Sequence, residues 1–255
     1  MNQKSKTAIT HNSAAPMKIK DPLWKRLYFA FSLVVMAALV AHFTWVASGS
    51  TEWKLAKDED GIKVYTLKVP GDAMLKLRTV MEGDYTLSQL ASHHITGVGD
   101  TLELCIEWMP GCKELTRIQD FDPVRGYDKD MWRVDLPGPF ADREFLITTM
   151  FHQDKQTKAV TLDVVGMPNS LPHTPGVVRL QRAHNQWTYT PKANGKVEVM
   201  LIQDVGFSDI GFFPYFLLNM LNVEDSHKFF ATILRKSLND DPYRNAKLEF
   251  IDDIR

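Results

Sequence analysis

The polar side chains that could carry out chemistry are few, and they do not form a recognisable catalytic set. The sequence contains no Gly-x-Ser-x-Gly, His-Glu-x-x-His, glycine-rich phosphate loop or Cys-x-x-Cys motif. His93 and His94 are adjacent, and neighbouring side chains diverge on a helix or a strand, so they are poorly placed to share a metal ion. We interpret both as surface or capping histidines. The sequence therefore indicates no catalytic residue, no metal site and no cofactor.

Arg143 is the charged residue with the clearest inward position. It begins a predicted strand in which Phe145 and Ile147 occupy one face, and in that phase its guanidinium lies on or near the inward side. A buried arginine needs an acidic partner or a ligand oxygen. We expect a structural ion pair, with contact to a ligand as the alternative. The acidic candidates are Asp130, Asp135 and Glu144.

Cys105 and Cys112 are the two cysteines of the chain. In an oxidising compartment they could form a disulfide that closes a small loop through Trp108 and Pro110. Two buried, unpaired thiols are the alternative, because the sequence does not show whether the Cβ atoms approach each other. Both interpretations stay open at this point.

The N-terminal part of the chain differs in composition from the rest. Residues 1–26 form a polar, basic tail that we expect to be disordered. Residues 27–47 are predicted to be a transmembrane anchor, because Leu27–Val46 is a run of twenty residues without a formal charge. The basic flank precedes this run, so the positive-inside rule places the N-terminus in the cytoplasm and the remaining chain on the far side, the periplasm of a bacterium. The small residues of Val46–Gly49 would suit a signal peptidase, but the length of the run favours an uncleaved anchor.

Residues 53–240 are predicted to be one α+β domain, followed by a tail at 241–255. Two short helices are expected, at 86–94 and 101–108, and the domain closes with a long helix, Pro214–Leu238, whose apolar residues recur at steps of three and four. Alternating runs bounded by turn residues predict the strands. These are Gly61–Thr66, Met74–Met81, Lys113–Gln119, Tyr127–Asp135, Arg143–His152, Ala159–Val165, Val177–Arg182, Trp187–Thr190 and Val197–Val205.

Several segments, taken together in their order and spacing, resemble the START domain, the steroidogenic-acute-regulatory-related lipid-transfer family, as a bacterial-type membrane-anchored member. They are Trp53 with Asp60–Tyr65, Trp108 before a strand, Pro139–Phe145, Met167-Pro168 with Gly176–Arg179, and Gly211–Pro214 leading to Phe230 and Leu234–Leu238. The resemblance implies a helix-grip fold of the START/Bet v 1 type, in which a curved antiparallel sheet surrounds a long C-terminal helix and a deep apolar cavity. Thr149 stands where cholesterol-binding members have an arginine, which argues against a sterol-type polar contact.

We therefore expect a protein that binds a single lipid or other hydrophobic small molecule and carries or presents it near a membrane. The formal net charge of −1 gives no reason to expect nucleic acid as a partner. Two alternatives remain: a helix-grip enzyme of the cyclase or hydrolase type acting on a hydrophobic substrate, and a module that binds a protein or a quinone.

The candidate cavity residues are mostly aromatic, aliphatic or Met side chains, which suit an adaptable apolar pocket and would equally fill a closed core. His227 joins them because it lies on the apolar face of the last helix, where a hydrogen-bonded core histidine is the alternative. For ligand entry we expect a hinge at Gly206–Pro214 and a gate at Met167–Gly176. The candidates are Trp132, Arg143, Phe145, Ile147, Met150, Trp187, Met200, Phe216, Met220, His227 and Phe230.

Overall fold

The computed structural model describes residues 23–95, 102–109, 111–135, 141–206 and 215–253, with the backbone alone for 102–104. The predicted basic tail before residue 23 lies outside this range. So do the predicted hinge residues 207–214 and the beginning of the Pro139–Phe145 segment. The chain divides into two compact units, one ending at Thr44 and the other beginning at Trp45.

Helix α1, Leu23–Ala47, contains the apolar run of the sequence. It is 25 residues long, has a mean hydropathy of 2.0 in its most apolar window and has no buried residue. Among the residues that the structure describes, it is the one helix long and apolar enough to cross a membrane. The helix starts earlier than the predicted anchor, because the basic segment before Leu27 is helical from Leu23 onward.

In the part of the second unit that the structure describes, the strands form a single ten-stranded sheet. The strands are β1 Lys54–Glu59, β2 Ile62–Leu67, β3 Lys76–Gly83, β4 Cys112–Asp122, β5 Tyr127–Val134, β6 Arg143–Gln153, β7 Val160–Gly166, β8 Val178–Arg179, β9 Arg182–Pro191 and β10 Val197–Gly206. Their order is β1-β2-β3-β10-β9-β7-β6-β5-β4, antiparallel throughout, with the short β8 parallel to β6. The first strand was not predicted, since Lys54–Glu59 is nearly all exposed and lacks an alternating apolar pattern.

Two short helices, α2 Leu87–Ala91 and α3 Leu102–Trp108, connect β3 to β4. The predicted capping box opens α2: the Thr86 side chain accepts from the Gln89 backbone, and the Gln89 side chain accepts from the Thr86 backbone. The C-terminal helical segment consists of α4 Tyr215–Lys228, a π-helical stretch Phe229–Leu234, and α5 Arg235–Asn239. The sequence predicted one uninterrupted α-helix over nearly the same range, and the π-helical stretch was missed.

The core lies where this C-terminal segment crosses the sheet. Phe230, Leu234 and Leu238 are fully or almost fully buried against strands β2, β7, β9 and β10 and against α2. The chain beyond Asn239 also belongs to this unit, because Tyr243 and Ile251 are buried. The compact unit therefore extends past residue 240, where the sequence placed the start of a tail. An antiparallel sheet around a C-terminal helix, preceded by an apolar helix, is the predicted helix-grip architecture.

Candidate functional site

A partly open pocket of about 390 Å³, referred to below as the cavity, lies between the inner face of the sheet and the C-terminal helix. Strand side chains reach it at every second position, as expected for one face of a pleated sheet. On α4 the lining residues are spaced by three and four, as expected for one face of a helix. The strand residues are Leu77, Leu115, Arg117, Asp130, Trp132, Phe145, Ile147, Thr149, Val164, Ala183, Asn185, Trp187, Leu201, Gln203 and Val205; the others are Met74, Leu75, His93, His94, Trp108, Met109, Asn222, Asp225, Ser226 and Phe229.

Aromatic rings form one end of the cavity. The ring centroid of His94 lies 5.2 Å from that of Trp108 and 4.7 Å from that of Trp187. Phe229, at the start of the π-helical stretch, meets Trp108 edge-on at 5.3 Å. Such rings supply a large apolar contact area with few rotatable bonds.

The adjacent histidines are both interior, which corrects their interpretation as surface or capping residues. They lie in the turn that follows α2 rather than on a regular element. His93 Nε2 is 3.0 Å from Ser237 Oγ, and its ring stacks on Tyr243 at 3.7 Å. Burial lowers the pKa of His93 to about 4 and that of His94, which is surrounded by protein except where it meets the cavity, to about 3. Both are therefore neutral at physiological pH.

A charged pair lies inside the cavity. Arg117 on β4 is in cross-strand register with Asp130 on β5, and its guanidinium contacts that carboxylate. Arg117 Nη1 is also 3.5 Å from Asp128, which is completely buried. Asp130, one of the acidic residues expected as a partner of Arg143, thus pairs with Arg117 instead, a residue that was not among the candidates. The available signal was the alternation of Leu115 and Arg117 on the inward face of a predicted strand.

Some polar atoms of the cavity-lining residues lack hydrogen-bond partners. Within the described part of the chain, no partner is found for Nε2 of His94, Nε1 of Trp108 and Trp132, or Oδ1 of Asn185. Buried polar groups are normally paired, and an unpaired one costs about 1–3 kcal/mol. The wall is therefore not uniformly apolar.

Four of the eleven candidate residues line the cavity: Trp132, Phe145, Ile147 and Trp187. Met150 and Met200 lie one position out of the inward phase on their strands, and Met150 is half exposed. Phe216 and Met220 are on the outer face of α4 and exposed. Phe230 is fully buried in the core, stacked on Trp187 at 5.7 Å. His227 is buried, and its Nε2 lies 3.2 Å from the Glu59 carbonyl oxygen. This arrangement matches the alternative interpretation of His227 as a hydrogen-bonded core histidine.

Arg143 is buried but does not line the cavity, and its guanidinium donates to the Ala141 carbonyl at 2.6 Å. Glu144, a candidate partner for it, pairs instead with Arg179 at 2.6 Å, and both side chains are almost completely buried. Arg179 also donates to carbonyl oxygens of the predicted gate, at 3.1 Å to Pro168 and 2.7 Å to Pro172. The segment expected to move is thus held by a buried arginine.

Cys105 and Cys112 form a disulfide, the first of the two alternatives. The bond closes the short segment that carries Trp108 and Met109, both of which line the cavity. On the opposite wall, Ser226 of α4 bonds Thr79 of β3 at 2.7 Å. These links fix two walls around the same space.

No protein-family model matches the chain. An uncharacterized protein of Pseudomonas aeruginosa is 25% identical over 171 residues, which cover 64% of this chain and 78% of that protein. The solved fragment of a STAR-related lipid transfer protein from Xanthomonas axonopodis is 26% identical, with a TM-score of 0.62 over 74% of this chain and 99% of the fragment.

Two human proteins share the fold at lower identity. STARD10 is 14% identical, with a TM-score of 0.60 over 79% of each chain. StAR-related lipid transfer protein 5 is 15% identical, with a TM-score of 0.58 over 82% of this chain and 96% of that one. The second unit is a START-like domain with the helix-grip fold, as the sequence predicted.

Proposed function

We propose that the START-like domain binds one lipid or similar hydrophobic molecule in the cavity and presents it at the membrane in which α1 is inserted. The observation that carries the proposal is the cavity itself, about 390 Å³ of largely apolar space beneath α4. Its volume falls in the range of roughly 300–1,000 Å³ that is usual for small-molecule sites. The likeness to a bacterial STAR-related lipid transfer protein supports the same class of ligand.

The apolar wall provides the binding free energy. Each methylene group removed from water contributes about 0.8 kcal/mol, so one hydrocarbon chain binds without a strong polar contact. The pair Arg117–Asp130 and the amide of Asn185 supply polar groups within the same cavity. A ligand with one polar group and a larger apolar body fits such a wall better than a pure hydrocarbon does.

The outer face of α4 supports the membrane part of the proposal. Phe216 is 72% exposed and Met220 is 58% exposed, with Leu217 and Leu221 beside them. The helix carries no formal charge from Tyr215 to Val223. A contiguous exposed apolar patch of this kind is unusual on a soluble surface, and it matches the interior of a lipid bilayer.

Native mass spectrometry of the full-length protein, extracted from membranes in detergent, tests ligand binding. We expect a bound hydrophobic molecule in the wild type and a loss of occupancy in Val164→Phe, which fills the cavity. Val124→Phe is the matched control, because Val124 is 94% exposed on the turn between β4 and β5. An empty wild-type protein, or equal occupancy in the two variants, contradicts the proposal. Chemical conversion of the bound molecule by the protein favours the enzyme alternative.

The placement of the domain beyond the cytoplasmic membrane is tested separately. It is motivated by the basic flank before Leu27 and by the disulfide, which suits an oxidising compartment. A reporter enzyme that is active only outside the cytoplasm, fused after Arg255, is expected to be active. Activity from a cytoplasm-dependent reporter at the same position overturns this topology.

A further inference from the structure

The segment between β2 and β3, Val69–Leu75, forms part of the cavity rim, and we refer to it as the mouth loop. Met74 and Leu75 line the cavity directly. Asn222 and Asp225 of α4 also line the cavity, and Asp225 is exposed, so the cavity reaches the surface along this helix. Three different parts of the second unit are attached to the mouth loop, and each attachment is specific.

The first attachment is to the beginning of the second unit, Trp45–Ser48. Trp45 Nε1 donates to the Ala73 carbonyl at 2.8 Å, and the Gly71 amide donates to the Val46 carbonyl at 2.8 Å. Lys68, next to the loop, donates to the Ser48 carbonyl at 2.9 Å. Its ammonium also lies 5.1 Å from the Trp45 ring centroid. Trp45 and Val46, the last two residues of the apolar run, are therefore bonded to the mouth loop.

Gly49 makes this attachment close. A Cβ atom added to Gly49 would lie 2.4 Å from Cδ of Pro70, far inside van der Waals contact. Any side chain at this position would push the connecting segment away from the mouth loop. Gly49, one of the small residues that resemble a peptidase site, thus has a packing reason to be small.

The second attachment is to α4, through Asn219. This side chain is 4% exposed, and both ends of its amide are used: Oδ1 accepts from the Leu75 amide at 2.9 Å, and Nδ2 donates to the Ala73 carbonyl at 3.1 Å. Trp45 and Asn219 therefore donate to the same oxygen atom. Phe216 and Met220, the most exposed residues of the apolar patch, flank Asn219 on the helix.

The third attachment fixes the loop to the sheet. Arg182 bonds Asp72 at 3.0 Å and Asp204 at 2.7 Å, and Lys76 bonds the same Asp204 at 2.6 Å. These charges join the mouth loop to the ends of β9 and β10. The mouth loop is therefore held in place on the sheet. Trp45 and Asn219, which bond to this loop, are held in place with it.

We propose that the Ala73 carbonyl, shared by Trp45 and Asn219, fixes the mouth loop and α4 so that the apolar patch and the cavity rim contact a lipid bilayer. The inference rests on the proposed function, which supplies the ligand and the membrane. Asn219 acts as a positioning residue, since its amide joins α4 to the loop without lining the cavity. Trp45–Ser50, the first residues of the second unit, are hydrogen-bonded to the rest of that unit at both ends.

The test places a fluorescent label on the patch of the full-length protein. Met220→Cys introduces one exposed thiol, because Cys105 and Cys112 are bonded to each other. The labelled protein is reconstituted into phosphatidylcholine vesicles that contain a nitroxide-labelled phosphatidylcholine, which quenches only at close range. A label at Asn194→Cys, in the turn at the far end of β9 and β10, reports a position away from the mouth loop.

We expect strong quenching of the label at position 220 and little at position 194. Trp45→Phe and Asn219→Leu, which remove the two donors to Ala73, are each expected to lower quenching at position 220 at least twofold. Trp24→Phe, at the other end of α1, is the matched control for the tryptophan change and should leave quenching unchanged. Asn245→Leu, a surface asparagine bonded to Asp241, is the control for the asparagine change.

Thermal unfolding of each variant shows whether it is folded. If Asn219→Leu does not fold, Trp45→Phe alone still tests the proposal. Equal quenching at position 220 in folded wild type and variants overturns the positioning role. Absence of quenching in the wild type overturns the membrane contact. Native mass spectrometry on the same samples tests the proposed function separately. If a ligand is bound but quenching is the same in all variants, only the positioning role is refuted. If no ligand is bound but quenching differs between the variants, only ligand binding is refuted.

Discussion

Phe229 and Phe230 are consecutive residues with different surroundings, and replacing each by alanine separates the cavity from the core. Phe230 is fully buried and stacked on Trp187. Its removal leaves a new enclosed void, so Phe230→Ala is expected to lower the free energy of unfolding by about 3–5 kcal/mol. This replaces the expectation from sequence that Phe230 borders the ligand.

Phe229 already borders the cavity, so its removal enlarges a space that exists instead of creating a new one. The cavity term is therefore small, and Phe229→Ala is expected to cost about 1–2 kcal/mol, mainly for the lost burial of the ring. A ligand that contacts Phe229 loses an aromatic surface. Ligand occupancy should fall in this variant or move toward bulkier molecules.

The assay combines urea unfolding of the full-length protein, followed by tryptophan fluorescence, with native mass spectrometry below the unfolding transition. We expect the larger stability loss in Phe230→Ala and the larger change of bound ligand in Phe229→Ala. Equal stability losses would refute the reasoning. So would a change of ligand confined to Phe230→Ala, because the cavity would then be bordered by the residue that the structure places in the core.

Three further predictions concern the supports of the cavity. Cys105→Ser removes a disulfide that closes a short loop, so it should lower the free energy of unfolding by about 2–3 kcal/mol. The comparison is wild-type protein whose disulfide has been reduced under denaturing conditions. Arg179→Leu leaves the buried Glu144 carboxylate unpaired and should lower the free energy of unfolding by about 3–5 kcal/mol. Adding Glu144→Leu to this variant should recover much of that loss, and no recovery would contradict the ion pair. Burial lowers the pKa of His93 to about 4 and that of His94 to about 3. Between pH 6.5 and pH 4 these histidines therefore bind protons in the unfolded chain but not in the folded chain. The free energy of unfolding consequently falls as the pH is lowered through this range. At pH 5 each histidine should account for about 1–2 kcal/mol of the loss relative to pH 7, and His94→Phe should remove its share in urea unfolding at the two pH values.

The sequence predicted the part of the cavity that strands provide. Trp132, Phe145 and Ile147 follow from strict alternation, because a strand residue's face is determined by whether its position is odd or even. The same rule excludes Met150, which the composition of the strand had suggested. The architecture could be predicted because the resemblance to the START domain depended on the order and spacing of many short segments and not on any single residue.

The C-terminal helix shows why its cavity residues were misjudged. Its apolar residues do not form one functional face: Phe216 and Met220 point outward, while Phe230 lies in the core. Periodicity identifies a face but not what covers it. The π-helical stretch starting at Phe229 changes the phase within the helix, and no residue pattern marked it.

The polar residues depended on contacts that are distant in sequence. His93 meets Ser237 and Tyr243, more than a hundred positions away, so its burial cannot be inferred from its neighbours in the chain. The pair Arg117–Asp130 requires the register between β4 and β5, which contains irregularities on both sides of Arg117. Register is set by turns and bulges that alternation alone does not specify.

The contact of Gly49 with Pro70 has a consequence for the biogenesis of the protein. A peptidase that cuts near Gly49 needs an extended, accessible backbone, but in the folded chain the Ser50 amide is bonded to the Lys68 carbonyl at 2.8 Å and Gly49 is covered by Pro70. Cleavage of a folded protein proceeds only through local opening of the segment. Under the proposed topology, cleavage at this site therefore competes with folding, because the backbone is most accessible before β2 and β3 pair and the mouth loop closes over the connecting segment.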